Sequence, residues 1–300
     1  MASGNKPTYG GQAVIEGVMI RGQRNASIAV RRPDGTIALK CDPLNSLYTG
    51  KLRRVPIVRG VIVLIETLGL GMRALTYSAN VGVEAEDKEI GKGAMAATIG
   101  VSLLFAVGLF FMVPVLASKA LESPLGSDLL SNLAEGIIRL ALFLVYIYLI
   151  GRMDQIRRVF MYHGVEHMTV HAQEADDPLE VGAIRKYSTA HPRCGTAFLL
   201  TVMVVAIAVF TFVGREPFWW LIASRVVLVP VVAAISYEAI RYSGFHATNG
   251  LVRILTAPSL ALQSLTTRQP DDDQIEIAIA AMEQALVADG VMVAPGEDTL

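Results

Sequence analysis

Histidines recur at intervals of four in the stretch YHGVEHMTVHA, residues 162–172. On an α-helix, His163, His167 and His171 share one face but climb about 6 Å per step, so two neighbours can share a metal ion and three cannot. Glu166 directly precedes His167, which gives the inverted zincin order H-x-x-E-H, where the glutamate is the candidate general base. The spacing therefore predicts a metal site with a catalytic glutamate.

A metal held by two helical histidines needs further ligands, and the sequence HPRCG, residues 191–195, offers two. His191 and Cys194 lie close enough along the chain, across a proline turn, to face one ion. Mixed histidine and cysteine ligation favours zinc over magnesium or calcium. The additional ligand candidates are His171, Glu174 and Glu238.

Two other interpretations of the histidine stretch stay open. Arg157 and Arg158 precede it, and together with the histidines they could bind anionic lipid at a membrane surface. The histidines could also be polar residues on one side of a packed helix.

Composition indicates a membrane protein, since 53% of the residues are hydrophobic and only 18% are charged. Four stretches approach the roughly 20 apolar residues that a membrane-spanning helix needs. They run from Met95 to Ala117, Leu133 to Gly151, Thr196 to Val213 and Phe218 to Tyr237. The formal net charge of −1 gives no reason to expect a nucleic-acid partner.

The distribution of basic residues orients these four stretches. The loop 152–195 carries six lysines and arginines, whereas the segments 118–132 and 214–217 carry one each. Because basic loops stay on the cytoplasmic side, this loop and both termini are predicted to be cytoplasmic, in a multi-pass protein of the cell membrane. The two cysteines, Cys41 and Cys194, then lie in a reducing compartment and imply no disulfide framework.

Three ionisable residues fall inside the apolar stretches. Glu135 and Arg139 are four residues apart on a predicted helix and are expected to pair. Arg225 must find a partner within the bundle, because an unpaired charge in lipid is costly; the candidates are Glu216 and the Glu135–Arg139 pair. A structural clamp is the simpler role, and a substrate or ion path is the alternative.

The remaining segments are predicted to be cytoplasmic or interfacial. Residues 1–50 alternate polar and apolar residues around a Pro-Asp-Gly turn, which predicts a small β unit. Residues 51–94 contain a short apolar run with charges at Arg59, Glu66 and Arg73, typical of an interfacial or re-entrant helix with its charges in water. The bundle occupies 95–240, and 241–300 holds an amphipathic segment, interrupted at Pro258, and a final capped helix.

Long motifs along most of the chain resemble one family. GGQAVIEGVMIRG, ALTYSAN, YHGVEHMTVHA, YSTAHPRCGTAFLL, PVVAAISYEAIRYSG and LTTRQPDDDQIEIAIAAM are similar to the YqhQ-like family of bacterial multi-pass membrane proteins. The resemblance implies an inner-membrane protein of uncharacterised function, described as a predicted metal-dependent enzyme, and names no substrate.

The expected fold is a mainly α membrane bundle of about four spans, with a small N-terminal β unit and amphipathic helices. The first functional hypothesis is a zinc-dependent enzyme, possibly a hydrolase, at the cytoplasmic membrane face. His163 and His167 would bind zinc with His191 or Cys194, and Glu166 would take a proton from water. The alternative is a non-catalytic assembly scaffold, lipid-binding or transport factor. Membrane lipids and a second copy of the chain are the expected partners.

Overall fold

The protein is described by a computed structural model that covers residues 8–83, 91–192, 194–246 and 248–293. Four strands come first: β1 Gly10–Val14, β2 Gly17–Arg21, β3 Asn25–Arg31 and β4 Ile37–Pro43. The next elements are helices α1 Ser46–Thr49, α2 Val58–Val83, α3 Lys92–Val107, α4 Val113–Ala120, α5 Glu122–Leu125 and α6 Asp128–Ile150. The chain ends with α7 Asp154–Glu174, α8 Val181–Ile184, α9 Gly195–Thr211, α10 Phe218–Val227, α11 Val229–Phe245, α12 Gly250–Thr266 and α13 Asp272–Ala288.

The strands pair in chain order as one antiparallel sheet, which confirms the predicted N-terminal β unit. A two-residue loop joins β1 to β2, and its second residue, Glu16, has a positive φ of 52°. Such tight hairpin loops require left-handed backbone. Gly35, in the predicted Pro-Asp-Gly turn between β3 and β4, has a φ of 88°, where glycine is favoured because it has no Cβ.

Helices cover both faces of this sheet, because alternate residues of β2 and β3 point to opposite sides. Met19 and Ile28 pack with Ala74 and Val81 of α2. On the other face, side chains of β2 and β3 share a buried core with α7 and α13, formed by Val18, Ile20, Ala29, Val165, Met168, Ile275, Ala278 and Met282. The helix that carries the three histidines is thereby fixed against the sheet.

The C-terminal helix begins as predicted. Asp271 and Gln274 form a capping box, in which each side chain accepts a hydrogen bond from the other residue's backbone N–H. Ile275, Met282 and Leu286 are buried along one face, and Ile279 is partly buried. The helix ends before Gly290, whose φ is 71°.

The apolar helices only partly match the four predicted spans. Gly93–Ala120 and Asp128–Ile150 are each long and apolar enough to cross a membrane. The predicted fourth span is divided into α10 and α11, which are bent by 42° at a short break and could count as one further span. The predicted third span corresponds to the apolar helix α9, Gly195–Thr211, whose 17 residues are fewer than the roughly 20 that a span needs.

Two predictions about the flanking helices are wrong. Glu66 in α2 is 3% exposed rather than solvated, because Arg21 and Arg53 of the sheet and its connector form ion pairs with it. Because the two arginines compensate its charge, Glu66 can be buried where α2 packs against the sheet. Arg73, on the same helix, is exposed. Pro258 does not interrupt the amphipathic segment, since α12 continues through it. Proline removes one backbone donor, and helix packing can tolerate that loss.

A cluster of charges is buried among the apolar helices and centres on Glu135, whose side chain is 1% exposed. Arg139 and Arg225 both bond to it, at 2.7 Å and 2.9 Å, so the predicted pair forms and Arg225 joins it rather than Glu216. Arg215 also bonds to Glu135, at 3.0 Å, and was not anticipated. Glu122 supplies a second carboxylate, 2.7 Å from Arg215.

Replacing Glu135 with Gln should strongly destabilise the fold, because it leaves Arg215 and Arg225 buried without their shared counter-charge. Breaking a buried ion pair costs about 3–5 kcal/mol. Thermal unfolding in detergent measures the loss. Glu216→Gln is the control, because the Glu216 side chain is 76% exposed, and its effect should stay within about 0.5 kcal/mol. Equal melting temperatures for the two variants would contradict the role given to Glu135.

Candidate metal centre

The histidine face of α7 is covered by two segments that come from distant parts of the chain. One is residues 187–192 together with Cys194, between α8 and α9, and the other is residues 266–268, at the C-terminal end of α12. Their backbone carbonyls point at the histidine rings. The ring environment is therefore built from the helix on one side and from backbone on the other.

Gly164 lets these segments approach α7 closely. A Cβ at this position would lie 2.2 Å from the carbonyl oxygen of Arg268 and 3.2 Å from Cγ2 of Thr189. The first distance is far inside van der Waals contact, so any larger residue would push residues 266–268 away. Because Gly164 has no side chain, residues 266–268 can approach α7, and the neighbouring His163 can bond to the carbonyl of Thr266.

Gln263 of α12 fixes the backbone of His191. Its Oε1 accepts from the His191 N–H at 2.8 Å, and its Nε2 donates to the His191 carbonyl at 2.9 Å. Gln263 is fully buried, so these two bonds satisfy an amide that would otherwise be costly to bury. The turn continues through a bond from Cys194 N to His191 O, which sets both residues over α7.

Each helical histidine places one ring nitrogen against a backbone carbonyl. His163 Nδ1 lies 2.8 Å from Thr266 O, and His167 Nδ1 lies 2.6 Å from Thr189 O. A carbonyl can only accept, so both Nδ1 atoms carry the proton and both Nε2 atoms have the lone pair. This is the arrangement in which a carbonyl orients a histidine for metal binding.

His171 has the opposite arrangement. Its Nε2 lies 3.0 Å from Ala190 O and must be the donor, which leaves the lone pair on Nδ1. The three rings that share one helical face therefore do not direct their lone pairs to one point.

The ligand atoms fall into two groups instead of one. His163, His167 and Cys194 offer atoms that all lie within 4.8 Å of one another, as do His171, Glu174 and His191. In the first group, His163 Nε2 is 3.1 Å from Cys194 Sγ. His167 is 2% exposed, and its Nε2 has no hydrogen-bond partner among the residues that the structure describes.

Glu166 lies beside the first group. Its Oε2 is 3.5 Å from His167 Nε2, and the residue is 5% exposed. Gly11 of β1 leaves room for it, since a Cβ there would be 2.9 Å from Glu166 Cγ. Burial lowers the pKa of His191, and the charge of Glu166 partly opposes that shift.

The predicted site residues are thus only partly brought together. Cys194 joins His163 and His167, whereas His191 joins His171 and Glu174. Glu238 lies with Arg59, whose Nε is 2.6 Å from its Oε1, and belongs to neither group. Sequence reasoning missed the roles of Gln263 and Gly164. The position of Gly164 between two candidate ligands was a signal that it is needed for close packing, whereas no pattern in the sequence pointed to Gln263.

The arrangement defines a class: a mainly helical protein with apolar helices long enough to cross a membrane, a small N-terminal sheet, and a buried cluster of histidine, cysteine and glutamate. The chain belongs to the YqhQ-like family, because the family model "Protein of unknown function (DUF1385)" matches residues 55–288. It is 34% identical over 295 residues to "Uncharacterized protein YqhQ" of Bacillus subtilis (strain 168), covering 93% of this chain and 92% of the relative. No solved structure matches significantly.

The carbonyl contacts predict a specific proton position on each ring. In metal-free protein at mildly alkaline pH, His163 and His167 should be Nδ1-protonated and His171 Nε2-protonated, because each carbonyl contact requires a donor. Nitrogen–proton correlation NMR on protein labelled with ¹⁵N-histidine in micelles distinguishes the two tautomers, and single histidine substitutions assign the signals. The same tautomer on all three rings would contradict the geometry.

Proposed function

We propose that the protein is a zinc-dependent hydrolase that acts at the cytoplasmic face of the membrane. The observation that carries this proposal is the buried lone pair of His167 Nε2, which faces His163 and Cys194 and lacks a hydrogen-bond partner among the described residues. A buried polar atom left unsatisfied in this way is expensive unless something binds it.

The donor set fits zinc. Two imidazoles and one thiol are the ligands that zinc uses in tetrahedral sites, and three protein ligands leave a fourth position open. Carbonyls of Thr266 and Thr189 orient the two rings, as second-layer contacts do in zinc proteins. When bound, zinc acts as a Lewis acid and activates water.

Glu166 is the proposed general base. Its carboxylate lies 3.5 Å from His167 Nε2, so it adjoins the position where a ligand of that nitrogen would be. A carboxylate there can accept a proton from water and pass it to a leaving group. Packing of α7 against the sheet holds Glu166 in place, since Arg158, two turns earlier, bonds to Glu16 at 2.5 Å and 2.7 Å.

The proposed topology has four spans: residues 93–120, α6, α9, and the bent pair of α10 and α11. The site lies in the segment between the end of α6 at Ile150 and the start of α9 at Gly195, so these helix ends share one side of the membrane. The basic residues of that segment favour the cytoplasmic side, with both termini there too. Membrane lipids would surround the apolar helices.

Zinc content tests the ligand assignment. Elemental mass spectrometry of protein purified in detergent should find near-stoichiometric zinc in the wild type and its loss in His167→Ala and Cys194→Ser, because each change removes one of three ligands. His246→Ala is the matched control and should keep its zinc, since His246 is exposed and its ring bonds to the carbonyl of Tyr242 and stacks on the Tyr242 ring, outside both ligand groups. Metal-free wild type that still functions in cells would favour the non-catalytic scaffold.

The role of Glu166 is tested separately. Glu166→Gln preserves the shape of the side chain and removes the base, so zinc should remain while hydrolysis falls by about 10²-fold or more. Turnover of fluorogenic ester, peptide and phosphodiester substrates by wild type and variant measures this. If the variant hydrolyses a substrate as fast as the wild type, Glu166 is not the base.

A further inference from the structure

We propose that the apolar helices bind a long-chain fatty acid anion in a cavity whose lining includes Arg139 and Arg225. The cavity has a volume of about 430 Å³, within the range of pockets that hold small molecules. None of its described lining residues belongs to the histidine groups. The proposal therefore goes beyond the proposed function and does not depend on bound zinc.

The rest of the cavity wall is apolar. Side chains of α2, α3, α9 and α11 form it together with a turn at the end of α3. Ala206 and Val232 are buried on its inner side, whereas Val107, Leu199 and Val229 are nearly half exposed. In the proposed topology, these three residues form a mouth that opens sideways into the bilayer.

Two interruptions of regular helix meet at this cavity. One is the π-helical turn Gly108–Met112, which contributes Phe110 and Phe111 to the wall. The other is the bend between α10 and α11, with Arg225 before it and Val229 after it. In hydrocarbon, irregular backbone is tolerated where it is buried in protein or lines a cavity, and such interruptions are common at binding sites. The two interruptions therefore favour a binding site over a packing defect.

The two arginines of the cavity share one negative charge among the described residues. Glu135 accepts from Arg139 at 2.7 Å and from Arg225 at 3.1 Å and 2.9 Å. Arg215, the third arginine at Glu135, has a second carboxylate in Glu122. An anion in the cavity would balance the remaining positive charge, because an uncompensated charge in an apolar environment is costly.

Arg139 is the arginine that can contact a ligand. Its side chain is 14% exposed, compared with 1% for Arg225. Its Nε donates to the carbonyl of Phe110 at 3.1 Å, and one Nη donates to Glu135. Within the part of the chain that the structure describes, the other Nη makes no hydrogen bond. A carboxylate can accept a charge-assisted hydrogen bond from it.

The depth of Arg139 selects a single-chain anion. Arg139 lies 11 residues from each end of α6, about 16 Å along the helix. Because the hydrocarbon core is about 30 Å thick, Arg139 is near its middle in the proposed topology. A phospholipid head group stays at the membrane surface, whereas the small carboxylate of a fatty acid can follow its chain into the cavity. The chain then contacts the apolar wall and leaves through the mouth.

Binding of radiolabelled palmitate to full-length protein in phosphatidylcholine nanodiscs tests the proposal, with binding to empty nanodiscs subtracted. The wild type should bind palmitate saturably. Arg139→Gln should weaken binding at least about ten-fold, because it removes a charge-assisted hydrogen bond. Arg253→Gln is the matched control and should bind like the wild type, since Arg253 is exposed on α12 and lies outside the cavity lining.

Two competitors identify the group that is recognised. Hexadecanol has the same chain length without a carboxylate, so it should compete at least about ten-fold less well than unlabelled palmitate. Phosphatidylglycerol added to the nanodiscs supplies an anionic head group at the surface and should not displace palmitate. Equal competition by hexadecanol, or displacement by phosphatidylglycerol, overturns the fatty acid anion as the ligand.

Val202→Phe tests the cavity without altering its charges. Val202 lines the cavity, so the larger ring should block palmitate, whereas Val204→Phe, at an exposed position on the same helix, should not. This pair decides the question if the melting temperature of Arg139→Gln shows that it does not fold. No saturable binding by the wild type, or equal binding by the two phenylalanine variants, overturns the site and leaves the zinc proposal unaffected.

Discussion

The geometry of the site depends on backbone carbonyls that accept hydrogen bonds from the N–H groups of histidine rings. Thr266, Thr189 and Ala190 each supply one such oxygen, and these oxygens decide which nitrogen of each ring has a lone pair. The other features of the site keep the carbonyls near α7: Gly164 has no side chain to block them, and Gln263 fixes the neighbouring turn. Substituting Gly164 or Gln263 would therefore change the orientation of the candidate ligands without replacing any of them.

A second constraint holds the apolar helices together. Glu135 accepts from three arginines that come from α6, α10 and the loop between α9 and α10. Hydrocarbon gives no hydrophobic driving force between helices, so buried polar contacts and close packing must orient them. Arg139 also donates to the carbonyl of Phe110, inside the π-helical turn Gly108–Met112, where the regular hydrogen-bond pattern is disturbed. The cluster thus links the first two candidate spans to the bent pair.

Much of the fold could be predicted from sequence, because it depends on local patterns. Alternating residues and turn signals identified the sheet, and Asp271 identified the start of α13. Glu66 was misjudged because its partners, Arg21 and Arg53, are distant in sequence and their approach depends on how the sheet packs. The break after Val227 was missed because α10 and α11 are both apolar, so hydropathy does not show a bend.

The site was predictable only along α7. The interval of four placed His163, His167 and His171 on one face, and helical rise excluded a single shared ion. The partners of each ring depend on the turn at 191–194, whose position is set by Gln263, 72 residues later. No local pattern indicates such a contact, so the assignment of Cys194 and His191 to different groups required the three-dimensional structure.

Because α13 covers one face of the N-terminal sheet, the packing of that sheet is completed late in synthesis. Val18, Ile20 and Ala29 are buried against α13, yet some 240 residues of chain lie between these strands and that helix. At translation rates of about 5–20 residues per second, this apolar face of the sheet stays uncovered by α13 for on the order of ten seconds or more. The N-terminal sheet can therefore reach its final packing only after α13 has left the ribosome.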